Sequence, residues 1–118
     1  MSLLSVIVPC YNEEESVALF YRELTKNDPF FKEKEIELEL LYIDDGSKDG
    51  TVREVKKLIE QDPRVHIIAG MNLNLVLQLC LSPEPLTDVI PAALKEARQG
   101  MIYGNAVLAC PQAEDELF

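Results

Sequence analysis

The chain has 118 residues, 47% of them apolar, and a formal net charge of −10. It is long enough for one compact domain, too apolar for a disordered chain, and carries no apolar run long enough to cross a membrane. The acidic balance excludes nucleic acid as the expected partner, because phosphate contacts need clustered Lys and Arg, although a local pocket can still hold a nucleotide.

Leu3–Pro9 is a short apolar run rich in β-branched residues and bounded by Pro9, the pattern of a buried strand in a parallel sheet. The residues before it lack the basic region of a signal peptide and read as part of this strand. Asn12 is a good N-cap and Glu15 follows three residues later, as in a capping box. A helix is therefore expected over 13–26, with Val17, Phe20, Tyr21 and Leu24 at helical spacing. Asn27-Asp28-Pro29 ends it, and Phe30–Glu35 reads as a charged connection. The next strand, 37–44, becomes continuously apolar at Leu40-Leu41-Tyr42-Ile43 and runs into the loop Asp44-Asp45-Gly46-Ser47-Lys48-Asp49-Gly50. Thr51 and Glu54 offer a second capping box for a helix over 50–61, which Asp62-Pro63 closes.

A third strand is expected over 65–69, so strand and helix alternate as in βαβ units. Beyond Gly70 the signal changes. Met71–Leu81 is apolar and nearly uncharged; it fits a strand or a buried helix, and we read 73–81 as a strand. Ser82-Pro83-Glu84-Pro85 is a turn, and Thr87 or Asp88 can cap a helix over 88–99 that carries Pro91 in its first turn. A final strand is expected over 101–109 and an acidic tail over 111–118.

Ligands of open parallel sheets bind at the carboxyl ends of the strands. Two polar loops fall there, Pro9-Cys10-Tyr11-Asn12-Glu13 and Asp44-Asp45-Gly46-Ser47. A carboxylate such as Asp45 accepts hydrogen bonds from ribose hydroxyls or a base N–H, Tyr11 offers an aromatic face or a hydroxyl, and Gly46 allows close backbone approach. Either loop alone reads as ordinary turn chemistry; together, after consecutive buried strands, they point to a nucleotide. Three weaker patterns count for little. The Asp45–Gly50 stretch partly imitates a calcium loop, but Lys56 stands where that loop needs Glu. The Asp44-Asp45 pair follows the second strand, where a phosphoryl-accepting receiver domain would carry its pair after the first. His66 is a lone strand histidine of the kind that is more often structural or solvent-facing. The three cysteines, Cys10, Cys80 and Cys110, have neither zinc nor redox spacing and suit reduced thiols in a cytosolic protein; nothing basic lies near Cys10 in sequence to activate it.

The segments Ser5-Val6-Ile7-Val8-Pro9-Cys10-Tyr11-Asn12-Glu13 and Ile43-Asp44-Asp45-Gly46-Ser47-Lys48-Asp49-Gly50-Thr51 together resemble the opening of family 2 glycosyltransferases, above all those that act on polyprenyl phosphates. The resemblance covers about residues 3–68. It implies an α/β fold with a three-layer, mostly parallel, Rossmann-like sheet, a truncated form of the glycosyltransferase A-type nucleotide-binding half. Residues 3–70 would be the nucleotide-sugar-binding half of a single α/β domain, and 71–110 an atypical strand–helix–strand completion. It further implies that Pro9, Tyr11 and Glu13 line the base pocket and that Asp45 holds the uracil or ribose. Asp44 and Ser47 would support the loop, while Asp49, Gly50 and Thr51 shape and cap the next helix. The implied donor is a UDP-sugar and the implied acceptor a polyprenyl phosphate, at the cytoplasmic membrane face.

The same resemblance implies a divalent metal, Mn or Mg, held by an Asp-x-Asp motif after the third strand. No Asp-x-Asp occurs in the chain, and Glu84 is the only carboxylate between Val65 and Leu86. No candidate base and no Gln-x-x-Arg-Trp motif follows. A second reading is therefore a truncated, rearranged or engineered α/β domain that is non-catalytic and self-associates as a homo-oligomer.

Overall fold

The computed structural model describes residues 1–101. Apart from Met101, which belongs to no regular element, the strand expected over 101–109 lies outside the described residues, as do the acidic tail and Cys110. The described chain divides into two units, one formed by Met1–Met71 with Pro83–Leu86, the other by Asn72–Ser82 with residues 87–101.

In the first unit the order is β1 (Ser2–Cys10), α1 (Val17–Thr25), α2 (Asp28–Glu33), β2 (Ile36–Asp44), α3 (Thr51–Gln61) and β3 (Val65–Ala69). The three strands form a parallel sheet in the order β1-β2-β3. The fold is α/β, as the alternation of elements implies. β2 is the middle strand, which explains its unbroken apolar run: Leu38 to Asp44 are all buried, and Leu41 and Ile43 are fully inaccessible. Leu40 and Tyr42 point to one face of the sheet. There they join Cys10, Val17, Val55, Leu58 and Val65 in a core completed by Tyr21 and Leu24 of α1 and Ile59 of α3. Val55 and Leu58 lie about one turn apart on α3 and form the apolar stripe that packs it against the sheet.

Polar contacts fasten the outer end of this unit. Asp62 sits between α3 and β3 in extended geometry, as the following Pro63 requires. Its carboxylate accepts hydrogen bonds from Tyr21 Oη at 2.7 Å and from the Arg64 guanidinium at 2.9 Å. Arg64 also pairs with Asp28 at 3.1 and 3.2 Å through both terminal nitrogens. Arg64 pulls the Asp62 carboxyl down to about 2, against the opposing effect of burial.

Several expectations need correction. The first helix starts at Val17 rather than near residue 13, and Asn12 caps nothing: it sits at φ 52°, and Glu13–Ser16 forms a turn instead. Phe30–Glu35 is not a plain connection, because 28–33 is helical. Pro29 lies in the first turn, where its missing N–H costs nothing, and Glu35 at φ 56° ends the segment. Thr51 is the first residue of α3 rather than its cap; Gly50 holds the cap position and supplies no side chain.

The largest correction concerns residues 73–81, which form helix α4 (Leu73–Leu81) rather than a strand. Asn72 caps it, its Oδ1 accepting from Leu75 N at 2.7 Å, and its leucines are good helix formers. Leu75 and Leu79, four residues apart, are its buried face. The last described helix, α5 (Leu86–Gln99), starts two residues earlier than expected, so Pro91 lies inside it rather than in its first turn. Neither Thr87 nor Asp88 begins it. The N–H of Leu86 is taken by Glu39 Oε1 of β2 at 3.0 Å, a buried carboxylate that also accepts from Ser5 Oγ at 2.5 Å. An anion at a helix start complements the helix dipole. The described sheet thus has three strands, and the segment 73–81, expected as a fourth, is helical.

Candidate functional site

Cys10, Asp44 and Ala69, the last residues of the three strands, lie side by side in register. The ladder continues one step further: Asp45 N donates to Cys10 O at 2.9 Å and Gly70 N to Asp44 O at 2.7 Å. Both loops singled out from the sequence therefore leave the same edge of the sheet next to one another.

Asp44 and Asp45 are adjacent in sequence but differ in every other respect. Asp44 is 4% exposed. Its two carboxylate oxygens accept from Ser47 N at 3.1 Å and Ser47 Oγ at 2.5 Å, closing a tight turn over Gly46, which holds φ 75°. Asp45 is exposed, and its carboxylate has no hydrogen-bond partner among the described residues. The pair divides into a buried loop anchor and a carboxylate facing outward.

The two loops are also sewn to each other. Ser47 Oγ, while donating to Asp44, accepts from Asn12 N at 2.9 Å. Asn12 Oδ1 accepts from Lys48 N at 2.9 Å. Asn tolerates the left-handed conformation that this exchange requires better than most residues do. Further along, Glu13 N donates to Thr51 Oγ1 at 2.8 Å and Gly50 N to Glu14 Oε2 at 3.0 Å. Asn12 and Thr51, read from the sequence as capping residues, are in fact the stitches. The available signal was weak: an Asn after a strand end is equally at home as a cap or in a left-handed turn.

The six expected site residues fall into three groups. Pro9 and Glu13, with Cys10, Ser16, Val17 and Phe20, border a mainly apolar cavity of about 150 Å³ between β1 and α1. Tyr11, 53% exposed, and Asp45 stand outside that cavity on the rim of the two loops. Asp44 and Ser47 lie beneath the rim as supports. The Cys10 thiol is pushed up to about 11, chiefly by burial and then by the negative charges of Asp44, Glu13 and Asp49. It is a neutral wall of the cavity rather than a nucleophile. Asp49 is held below the ordinary carboxyl range, first of all by the hydroxyl of Thr51. His66 lies half-buried beside Leu41 in the register, away from both loops.

These residues do not suit a divalent cation. Asp44 has spent both oxygens on Ser47, Asp45 stands alone, and no group of three His, Cys, Asp or Glu side chains converges among the described residues. None of the described helices is long and apolar enough to cross a membrane.

The two stitched polar loops lie at the carboxyl edge of a parallel α/β sheet, the edge at which open sheets of this kind bind their ligands. Residues 5–74, more than half of the chain, match the family model for glycosyl transferase family 2, and the chain belongs to that family. It is similar to a prophage bactoprenol glucosyl transferase homolog of Escherichia coli (strain K12), 39% identical over 62 residues that make up 52% of this chain and 19% of the relative. A dolichyl-phosphate beta-glucosyltransferase of Dictyostelium discoideum is 39% identical over 66 residues, 54% of this chain and 20% of the relative. An undecaprenyl-phosphate 4-deoxy-4-formamido-L-arabinose transferase of Photorhabdus laumondii is 31% identical over 115 residues, 82% of this chain and 34% of the relative. The chain spans about a fifth to a third of the length of these relatives.

Proposed function

We propose that residues 3–70 bind the nucleoside end of a sugar nucleotide, a UDP-sugar, for transfer to a polyprenyl phosphate at the cytoplasmic membrane face. The observation that carries this reading is the placement of Tyr11 and Asp45 on adjoining loops at one sheet edge, the aromatic ring exposed and the carboxylate without a partner among the described residues. The charge of the rim supports the nucleoside rather than the diphosphate as its ligand. Glu13, Glu14, Asp45 and Asp49 outnumber Lys48, and carboxylates accept from ribose hydroxyls and base N–H groups but repel phosphate. The names of the similar proteins, which include a bactoprenol and an undecaprenyl-phosphate transferase, support the lipid-phosphate acceptor.

In the transfer itself an acceptor oxygen forms a bond to the anomeric carbon while the bond from that carbon to the diphosphate breaks. Within the described residues, this chain contributes binding and orientation of the donor. The Mn or Mg that the resemblance implies has no ligand set among those residues.

The test is a UDP titration of labelled protein, with and without Mn²⁺, followed by amide NMR shifts. Saturable shifts clustered at Tyr11–Glu13 and Asp44–Ser47 are expected. A folded spectrum that does not move at about millimolar UDP overturns the reading.

One observation favours the second reading, a self-associating scaffold that turns nothing over. Helix α4 carries no charge and presents Leu73, Leu77 and Leu81 at 73%, 49% and 80% exposure. Sedimentation that shifts to larger species with concentration, together with silence towards UDP, would select it.

A further inference from the structure

We propose that Thr51 is a positioning residue for the nucleotide-binding edge, holding the first loop in place from the start of α3. The inference rests on the reading of that edge as a nucleotide site.

Thr51 is completely buried, though it opens an α-helix beside two exposed loops. Its hydroxyl has one proton to give and accepts in return, and both capacities are used across the site. Oγ1 accepts from Glu13 N, 38 residues away in sequence, at 2.8 Å and donates to Asp49 Oδ1. A capping hydroxyl would instead serve the N–H groups of its own helix.

The neighbours of Thr51 complete a clasp. Asp49 Oδ1 accepts from Thr51 N at 3.0 Å, Asp49 Oδ2 from Glu14 N at 3.4 Å, and Glu14 Oε2 from Gly50 N at 3.0 Å. A Cβ at position 50 would push aside the ends of the Glu14 and Arg53 side chains. On the far side, Glu13 O accepts from Ser16 N and Val17 N at 2.9 and 3.1 Å, so the point held by Thr51 is also where α1 begins. Between that point and the end of β1 lie only Tyr11 and Asn12. With Glu13 held by Thr51 and Asn12 by Ser47, the short span that carries the Tyr11 ring is pinned next to the loop that carries Asp45. Binding groups must be held in their bound geometry, or the ligand bears the cost of ordering them.

The clasp can be tested with Thr51→Val, which keeps the shape and removes the hydroxyl, and Thr51→Ser, which keeps the hydroxyl. Thermal melts, amide hydrogen exchange and UDP titration would be measured on all three proteins. Thr51→Val is expected to speed exchange of the Glu13 amide selectively and to weaken UDP binding about tenfold at temperatures where it is fully folded. Thr51→Ser should restore both readouts, even if its melting temperature is lower. A folded Thr51→Val protein with wild-type Glu13 exchange and wild-type UDP affinity overturns the clasp. If the wild-type chain shows no UDP shifts, the nucleotide reading and the binding role fall together, while Glu13 exchange still decides whether Thr51 holds the loop. Should Thr51→Val not fold, Glu14→Ala and Asp49→Ala, both on exposed residues, test the same clasp by the same two criteria.

Discussion

Asn12 and Ser47, 35 residues apart in the chain, share a hydrogen bond of 2.9 Å from the backbone of one to the hydroxyl of the other. That bond makes two loops of the sheet edge into one surface. Asn12 reaches it only by adopting φ 52°, and it repays Lys48 N with its own side-chain oxygen. Asn12→Ala loses that oxygen and strains the backbone, so it is expected to cost about 1–2 kcal/mol of stability, whereas Asn12→Gly, free of the strain, costs less. Urea denaturation midpoints of the two variants check the order.

The neighbouring aspartates should separate cleanly on substitution. Asp44→Ala leaves Ser47 N and Oγ without their buried acceptor and is expected to destabilise by about 2–3 kcal/mol. Asp45→Ala removes an exposed carboxylate with no partner among the described residues and should leave stability within about 0.5 kcal/mol. It should nevertheless weaken UDP about tenfold, through loss of a hydrogen bond to a charged group. Parallel denaturation and UDP titration of the two variants would show the crossed pattern.

Glu39 is a test of tertiary capping. Glu39→Ala deprives both Ser5 Oγ and Leu86 N of an acceptor in a buried setting. A loss of about 2–3 kcal/mol is expected, with faster amide exchange in the first turn of α5. Equal exchange at Leu86 in variant and wild type would contradict the assignment.

Acid should expose the contribution of Asp62. Its carboxyl titrates at about 2 in the folded chain against 3.8 as an isolated group. A depressed folded value means that the unfolded chain takes up the proton first as pH falls. The stabilisation is therefore fully present above about pH 4 and drains away between there and about pH 2, amounting to roughly 2 kcal/mol for this mostly buried group. Denaturant midpoints measured against pH should show that slope, and Asp62→Asn should flatten it.

The cysteines should differ in reactivity. Cys10 is buried, with its thiol pushed up to about 11, whereas Cys80 is exposed on α4. Brief alkylation at neutral pH, mapped by peptide mass, is expected to label Cys80 at least about tenfold faster than Cys10 in the native protein, with the gap closing on denaturation.

Local pattern was enough for much of this protein. The continuous apolar run of β2, the strand–helix alternation through Ala69, and the helix stops at Asn27-Asp28 and Asp62-Pro63 depend on neighbours in sequence, and so did the motifs that placed Tyr11 and Asp45 at one edge. What depends on residues far apart could not be read that way. Leu73–Leu81 has the same apolar, uncharged composition whether extended or helical, and the Asn72 cap and the buried Leu75 and Leu79 decide for the helix. Asn12 had two uses for its side chain, and the nearness of Lys48 and Ser47 selected the stitch over the cap. The start of α5 was set by Glu39, 47 residues earlier in the chain, rather than by Thr87 or Asp88. Asn12 and Glu39 share one physical reason: a polar side chain with several satisfactory partners goes to the one that folding brings within about 3 Å, and only the tertiary structure determines which one that is.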